Sequence, residues 1–247
     1  MRIPLIVAHR GASSAERENT VEAFRTAGRM KADMVELDVR RTCDGQLVVH
    51  HDAHIDGVAI ITMRADQLPK YVPSLSVALD ACAGMEVNVE IKNDPDEPDF
   101  DPQRTLADQV VELLATRTDH DRMLISSFDR ATINAVRQLD RTLRTGYLFT
   151  VPELVDGLTL EAFLHGVANE GHVAIHPYAR VVTQSLVTGA HAVGLAVNVW
   201  TVDKPELLRQ LADLGVDALI TNVPDIARAV LREFSEVCHR DGSPLGR

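Results

Sequence analysis

Apolar runs of strand length recur along the chain, each closing on polar residues and each separated from the next by a stretch of helical periodicity. The runs are "IPLIVAHRG", "DMVELDV", "MEVNVEIK", "MLISSFD", "TGYLFT", "HVAIHP", "LAVNVWTVD" and "DALITNVPD". Between them lie amphipathic segments such as "TVEAFRTAGRM", "LADQVVELLATR", "ATINAVRQL", "LVTGAHAVG" and "PELLRQLADLG". A glycine stands where several of these helices must stop, as in "LADLGVDALIT", because it enters the left-handed region without a Cβ clash. Eight strands alternating with helices predict a (β/α)8 TIM barrel over residues 1–235, with residues 236–247 as a C-terminal tail. An open doubly wound sheet is the competing architecture, and no GxGxxG or GxxxxGK[ST] turn supports it.

A ninth strand-like piece, "LVVHH", follows "VELDV" too closely for the crossover that a parallel pair needs, so the two must form an antiparallel hairpin. Asp44-Gly45 reads as its two-residue turn. That turn sets Cys43 opposite Gln46 and Asp38 opposite His51, and leaves Val39 opposite His50. His51 then shares a face with Glu36 and Asp38, since directly opposed residues lie on one side of a sheet. A short insertion, Ala53 to Val72, follows the hairpin. The Pro- and Asp-rich segment "KNDPDEPDFDPQ" reads as a loop.

Alternation assigns the faces of two strands. Val35, Leu37 and Val39 point one way and Glu36 and Asp38 the other; Val87, Val89 and Ile91 oppose Glu90 and Lys92. If the apolar sets pack on the outer helices, three carboxylates and a lysine face the barrel axis. Uncompensated, they would carry a large desolvation and repulsion cost. A divalent cation removes it, and an all-oxygen donor set favours Mg²⁺ or Ca²⁺.

The overall charge, 25 basic against 36 acidic residues for a net −11, argues against a nucleic-acid or anionic-membrane partner. No apolar run approaches the ~18 residues of a membrane span, and none suggests a stable membrane anchor. Cys43, Cys82 and Cys238 are widely spaced and odd in number, which fits free thiols and a cytoplasmic location. Oligomeric state is left open.

The ordered set His9-Arg10-Gly11, Glu18-Asn19-Thr20, Glu36-x-Asp38, His51-Asp52, Glu90-x-Lys92 and Trp200-Thr201-Val202 resembles the glycerophosphodiester phosphodiesterases. The resemblance runs from Val7 to Asp225 and implies a (β/α)8 barrel that hydrolyses glycerophosphodiesters to glycerol 3-phosphate and an alcohol. It further implies that Glu36, Asp38 and Glu90 hold one divalent cation and that His9 and His51 are the acid and base. Arg10 and Lys92 would hold the phosphate, and Trp200 would pack against the glycerol. The family usually carries a longer insertion after His51-Asp52, so the lid that selects the leaving alcohol is reduced in this chain. A lysophospholipid or other lipid phosphodiester is the alternative substrate, and a non-catalytic barrel binding a phosphorylated metabolite ranks last.

Other positions have plainer readings. Asn19 is expected to cap the first helix, with Glu22 closing a capping box. Ser126, Ser127 and Asn222 are expected as caps of following helices, and His176 as a structural or outer-pocket residue.

Overall fold

A computed structural model of the chain describes residues 3–151 and 159–240. Eight parallel strands close into a barrel: β1 (Leu5–His9), β2 (Met34–Arg41), β6 (Glu86–Ile91), β7 (Met123–Ser127), β8 (Arg144–Phe149), β9 (Ala174–Pro177), β10 (Ala196–Val199) and β11 (Ala218–Thr221). The strands neighbour one another in chain order, and β1 pairs with both β2 and β11 to close the ring. Among the described residues, eight α-helices lie outside: α1 (Val21–Arg29), α2 (Leu75–Ala81), α3 (Thr105–Ala115), α4 (Arg130–Leu139), α5 (Leu160–Asn169), α6 (Gln184–Ala192), α7 (Pro205–Leu214) and α8 (Pro224–Arg240). This is the predicted (β/α)8 barrel. Gly215 ends α7 at φ +82°, in the left-handed stop that "LADLG" suggests. The first residues of the expected tail, 236–240, continue α8. The side chain of Cys238 and residues 241–247 lie outside the described residues.

The two faces of the strands divide as alternation requires. Val35, Leu37, Val39, Val87, Val89 and Ile91 pack with α1, α2 and α3 residues such as Phe24, Leu75 and Val110 in one buried cluster between sheet and helices. A second cluster does the same for the other half of the ring, with Tyr147, Ile175, Val197 and Leu219 against Phe163, Leu186 and Leu208. Inside the barrel a small plug of Val7, Met34, Ala218 and Ile220 closes the lower end. Inward side chains above it therefore sit over an apolar floor.

The hairpin departs from the predicted register by one residue. β3 (Leu47–Val49) pairs Val39 with Val49, Arg40 with Val48 and Arg41 with Leu47. The turn has three residues rather than two: Thr42 N donates to the Gln46 carbonyl at 3.0 Å and Gly45, at φ +78°, donates back to the Thr42 carbonyl. The Thr42 hydroxyl explains the longer loop, since it accepts from Gln46 N at 3.0 Å and donates to Asp44 Oδ1 at 2.6 Å. The insertion after it holds β4 (His54–Ile55), β5 (Val58–Ala59) and two short 3₁₀ turns, with Ile55 and Ile60 tucked against Val48.

His176 lies within the barrel, 1% exposed, with Nε2 accepting from Asn198 Nδ2 at 3.0 Å. Gly146 makes room for it, because a Cβ there would come within 2.5 Å of the imidazole. Burial pushes the His176 pKa down from 6.5 to about 3. The unfolded chain therefore takes up a proton that the folded barrel refuses, and stability falls as pH drops from 6.5 towards 3. The expected loss between pH 7 and pH 5 is about 2 kcal/mol from this residue alone. His176→Gln should flatten that part of the curve, measured as urea midpoints at the two pH values; an unchanged slope would mean the ring accepts its proton in the fold. Among the described residues, no helix is long and apolar enough to cross a membrane.

Candidate active site

Strand register brings the predicted residues level with one another at the C-terminal end of the barrel. His9 on β1 lies beside Glu36 on β2, and Asp38 beside Glu90 on β6. All three carboxylates are buried, and one oxygen of each lies within 4.8 Å of the others. Lys92 reaches over them, with Nζ 2.6 Å from Glu90 Oε1 and 2.9 Å from Asp38 Oδ1. Arg10, at φ +56°, turns its backbone N–H to Glu36 Oε2 at 2.9 Å, its Nε to 3.3 Å from Asp38 Oδ2, and its Nη1 to the Glu18 carboxylate.

The charges do not balance. Burial, with Asp38 and Glu90 nearby, holds the Glu36 carboxyl well above the usual range, and burial also raises Glu90, against the pull of Lys92. Asp38 is the exception: burial would raise it, but Lys92 and Arg10 prevail and hold it below the usual carboxylate range. Lys92 is raised in turn, because Asp38 and Glu90 outweigh its own burial. Glu36 Oε1 is buried with no hydrogen-bond partner among the described residues. An orphaned carboxylate oxygen facing two more carboxylates fits a hard divalent cation.

His9 is oriented from outside this cluster. Its Nδ1 lies 2.7 Å from Asn222 Oδ1. Asn222 is itself fixed, donating Nδ2 to Asp203 Oδ2 at 2.7 Å and its backbone N–H to Asp203 Oδ1 at 2.8 Å. With the Asn222 amide spent on Asp203, its carbonyl oxygen must accept, so His9 Nδ1 carries the proton. Nε2 is left with the lone pair, 4.0 Å from Glu36 Oε2. Burial first, then Arg10, push the His9 pKa below its ordinary value, against Asn222 and Asp38. His51 comes from the opposite wall, one-third exposed, with Nδ1 2.7 Å from Asp52 Oδ1. The Asp52 carboxyl is lowered, chiefly by that hydrogen bond.

His9, Arg10, Glu36, His51, Glu90 and Lys92 line a cavity of about 240 Å³ whose remaining wall is Asn88, Phe128, Leu148, Trp200 and Ile220. Trp200 donates Nε1 to the His176 carbonyl at 2.7 Å and meets the Phe128 ring edge-on at 5.4 Å. All eight predicted site residues converge here, Asp38 by its pairing with Lys92 and Arg10 and the rest as cavity lining.

Several expectations are corrected. Asn19 does not cap α1: Thr20 does, accepting from Ala23 N, while Asn19 is buried and donates Nδ2 to Asp38 Oδ2 at 2.7 Å. Asn222 is not a helix cap either, being committed to His9 and Asp203. The helix after β7 is capped by Asp129, whose own N–H donates to Ser127 Oγ. The one-residue shift in the hairpin also sets His50, not His51, opposite Asp38, with His50 N donating to the Asp38 carbonyl at 3.0 Å. His51 still reaches the cavity because β3 ends at Val49 and the chain bends there, so strand alternation no longer applies. His50 enters a neighbouring hollow with Arg17, Glu18 and Tyr71. Sequence reading favoured capping roles for Asn19 and Asn222 and passed over Asp203 and Phe128; Asp203 in "WTVD" and Phe128 in "SSFD" do lie just past strand ends, which is the available signal.

A family model described as the glycerophosphoryl diester phosphodiesterase family matches residues 9–226. A glycerophosphodiester phosphodiesterase of Caldanaerobacter subterraneus is 26% identical over 93% of this chain and 98% of its own length. The crystal structure of a glycerophosphodiester phosphodiesterase from Thermotoga maritima superposes with a TM-score of 0.77 at 25% identity, covering 93% of this chain and 99% of that one. An Oleispira antarctica phosphodiesterase, solved with its product sn-glycerol-3-phosphate, shares the fold at a TM-score of 0.82 and 21% identity, over 93% and 97% of the two chains.

Proposed function

We propose a metal-assisted route with two histidines for this chain, which belongs to the glycerophosphoryl diester phosphodiesterase family and hydrolyses glycerophosphodiesters to glycerol 3-phosphate and an alcohol. The observation that carries the route is the buried carboxylate trio, with Glu36 Oε1 unpartnered, flanked by His9 and His51 on the cavity wall. Glu36, Asp38 and Glu90 would hold one divalent cation, Mg²⁺ or Ca²⁺. Bound there, it supplies positive charge to the nonbridging phosphate oxygens as negative charge grows on them. His9, with Nδ1–H committed to Asn222, offers Nε2 as the base that takes a proton from the attacking oxygen. That oxygen belongs to water, or to the neighbouring glycerol hydroxyl by way of a cyclic phosphate. His51, with Nδ1 on Asp52, protonates the departing alkoxide. Arg10 and Lys92 add charge at the phosphate, and Trp200 and Phe128 form an apolar wall for the glycerol carbons.

Lys92→Met is expected to lower kcat/KM by about 2 to 4 kcal/mol of transition-state stabilisation, the scale of one lost electrostatic contact. Steady-state kinetics on glycerophosphocholine measure this, and a normal rate would remove Lys92 from the phosphate site.

A lipid phosphodiester is the second reading, because Phe128 is 42% exposed at the rim and gives an acyl chain an apolar edge to follow. The cavity itself suits a glycerophosphoryl unit better than a chain. Glycerol 3-phosphate release from glycerophosphocholine, compared with choline release from lysophosphatidylcholine, decides between them. The small diester should be turned over far faster; the reverse order would make the enzyme a lipid phosphodiesterase.

A further inference from the structure

His51 has little to hold it in place. It lies past the end of β3, its ring is one-third exposed, and the ring's partner, Asp52, is 74% exposed. What grips it is its backbone. Arg40 continues the inward row of β2 beyond Glu36 and Asp38, and its side chain is 1% exposed. Its Nε donates to the His51 carbonyl oxygen at 2.8 Å, and Nη2 donates to the same oxygen. Nη1 donates to Glu97 Oε2 at 2.9 Å and to Asp99 Oδ2 at 2.7 Å, while Nη2 donates to Glu97 Oε1 at 3.0 Å. A guanidinium has five N–H donors, and all five are engaged. Glu97 and Asp99 belong to the acidic loop between β6 and α3, which begins at Lys92.

That loop is built rather than slack. Glu97 N donates to the Asp94 carbonyl and Phe100 N to the Glu97 carbonyl, while Asn93 and Asp101 bond each other, Nδ2 to carbonyl oxygen and backbone N–H to Oδ1. The buried fork thus ties the His51 backbone to a fixed wall, with two acids neutralising Arg40 and setting its plane.

We propose that Arg40, held by Glu97 and Asp99, is the positioning residue for His51, fixing the backbone from which the imidazole reaches the leaving group. This rests on the reading of His51 as proton donor. Misplacing a catalytic group by about 1 Å costs up to ~100-fold in rate. Lysine keeps the charge but cannot make two bonds to one carbonyl and a bidentate pair to a carboxylate.

The test compares two glycerophosphodiesters, one releasing choline and one releasing 4-nitrophenol, which departs without a proton. Arg40→Lys should lower kcat about tenfold or more for the choline ester and less than about threefold for the 4-nitrophenol ester. KM and the Mg²⁺ concentration for half-activation should be unchanged. Glu97→Gln combined with Asp99→Asn keeps Arg40 and should give the same split in weaker form, which covers the case of Arg40→Lys failing to fold. In a His51→Ala background, Arg40→Lys should add no further loss. Equal losses on both substrates, or a loss on neither, would overturn the proposal. His51→Ala on its own must show the split; if it does not, the reading of His51 as proton donor falls, and the role of Arg40 with it.

Discussion

Glu36→Gln, Asp38→Asn and Glu90→Gln will each cut turnover by about a hundredfold or more, yet the first two will move the stability of the ion-free protein in opposite directions. Glu36 is held well above the usual carboxylate range by burial and by Asp38 and Glu90, so the fold disfavours its negative charge. Glutamine removes that charge and keeps an oxygen for the Arg10 backbone N–H, so the ion-free variant should unfold at higher urea. Asp38 is the counter-charge for both Lys92 and Arg10 and also accepts from Asn19. Asparagine there leaves two partly buried cations under-compensated, and the variant should unfold at lower urea. Carboxylates with a purely structural role would lose stability and activity together. Rates with saturating Mg²⁺ and urea midpoints in chelator separate the cases; Glu36→Gln with parental activity would remove Glu36 from the metal set.

His51→Ala is expected to lose at least a hundredfold in kcat, the lower end of what a general acid or base contributes, while His50→Ala stays within a few-fold of the parent. The two rings are adjacent in sequence but part company in space. His51 lines the cavity with Glu90 and Lys92, whereas His50 sits in the hollow beside Tyr71 with Nδ1 on the Asp52 carbonyl. Steady-state kinetics of the two variants give the comparison. Should His50 prove essential and His51 dispensable, the acid would have to come from the other hollow.

That His51 reaches the cavity was legible in the chain, but not for the geometric reason that the sequence suggested. A two-residue turn would have set His51 opposite Asp38; the Thr42 hydroxyl favours a three-residue loop, and a bend after Val49 restores His51 to the cavity. Strand faces were readable because alternation in "VELDV" and "EVNVEI" is a local property of a half-buried strand. The barrel was readable for a similar reason, since eight βα units each carry their own periodicity. What stayed hidden is made by contacts across long stretches of chain. Asn222 reaches His9 across the ring's closure, Asn19 leaves its helix cap for Asp38, and Arg40 joins two loops that no local pattern connects. Each of those residues also has an ordinary local use, as cap, turn or surface charge, so its type alone could not mark it.

Glycerol 3-phosphate release from glycerophosphocholine, followed while metal-stripped protein is titrated with Mg²⁺ or Ca²⁺, tests the three-carboxylate centre most directly. Turnover should rise from background in proportion to bound cation and level off at one ion per chain, with Glu36→Gln staying at background over the same range. Full-rate release from protein verified to be free of metal would contradict it.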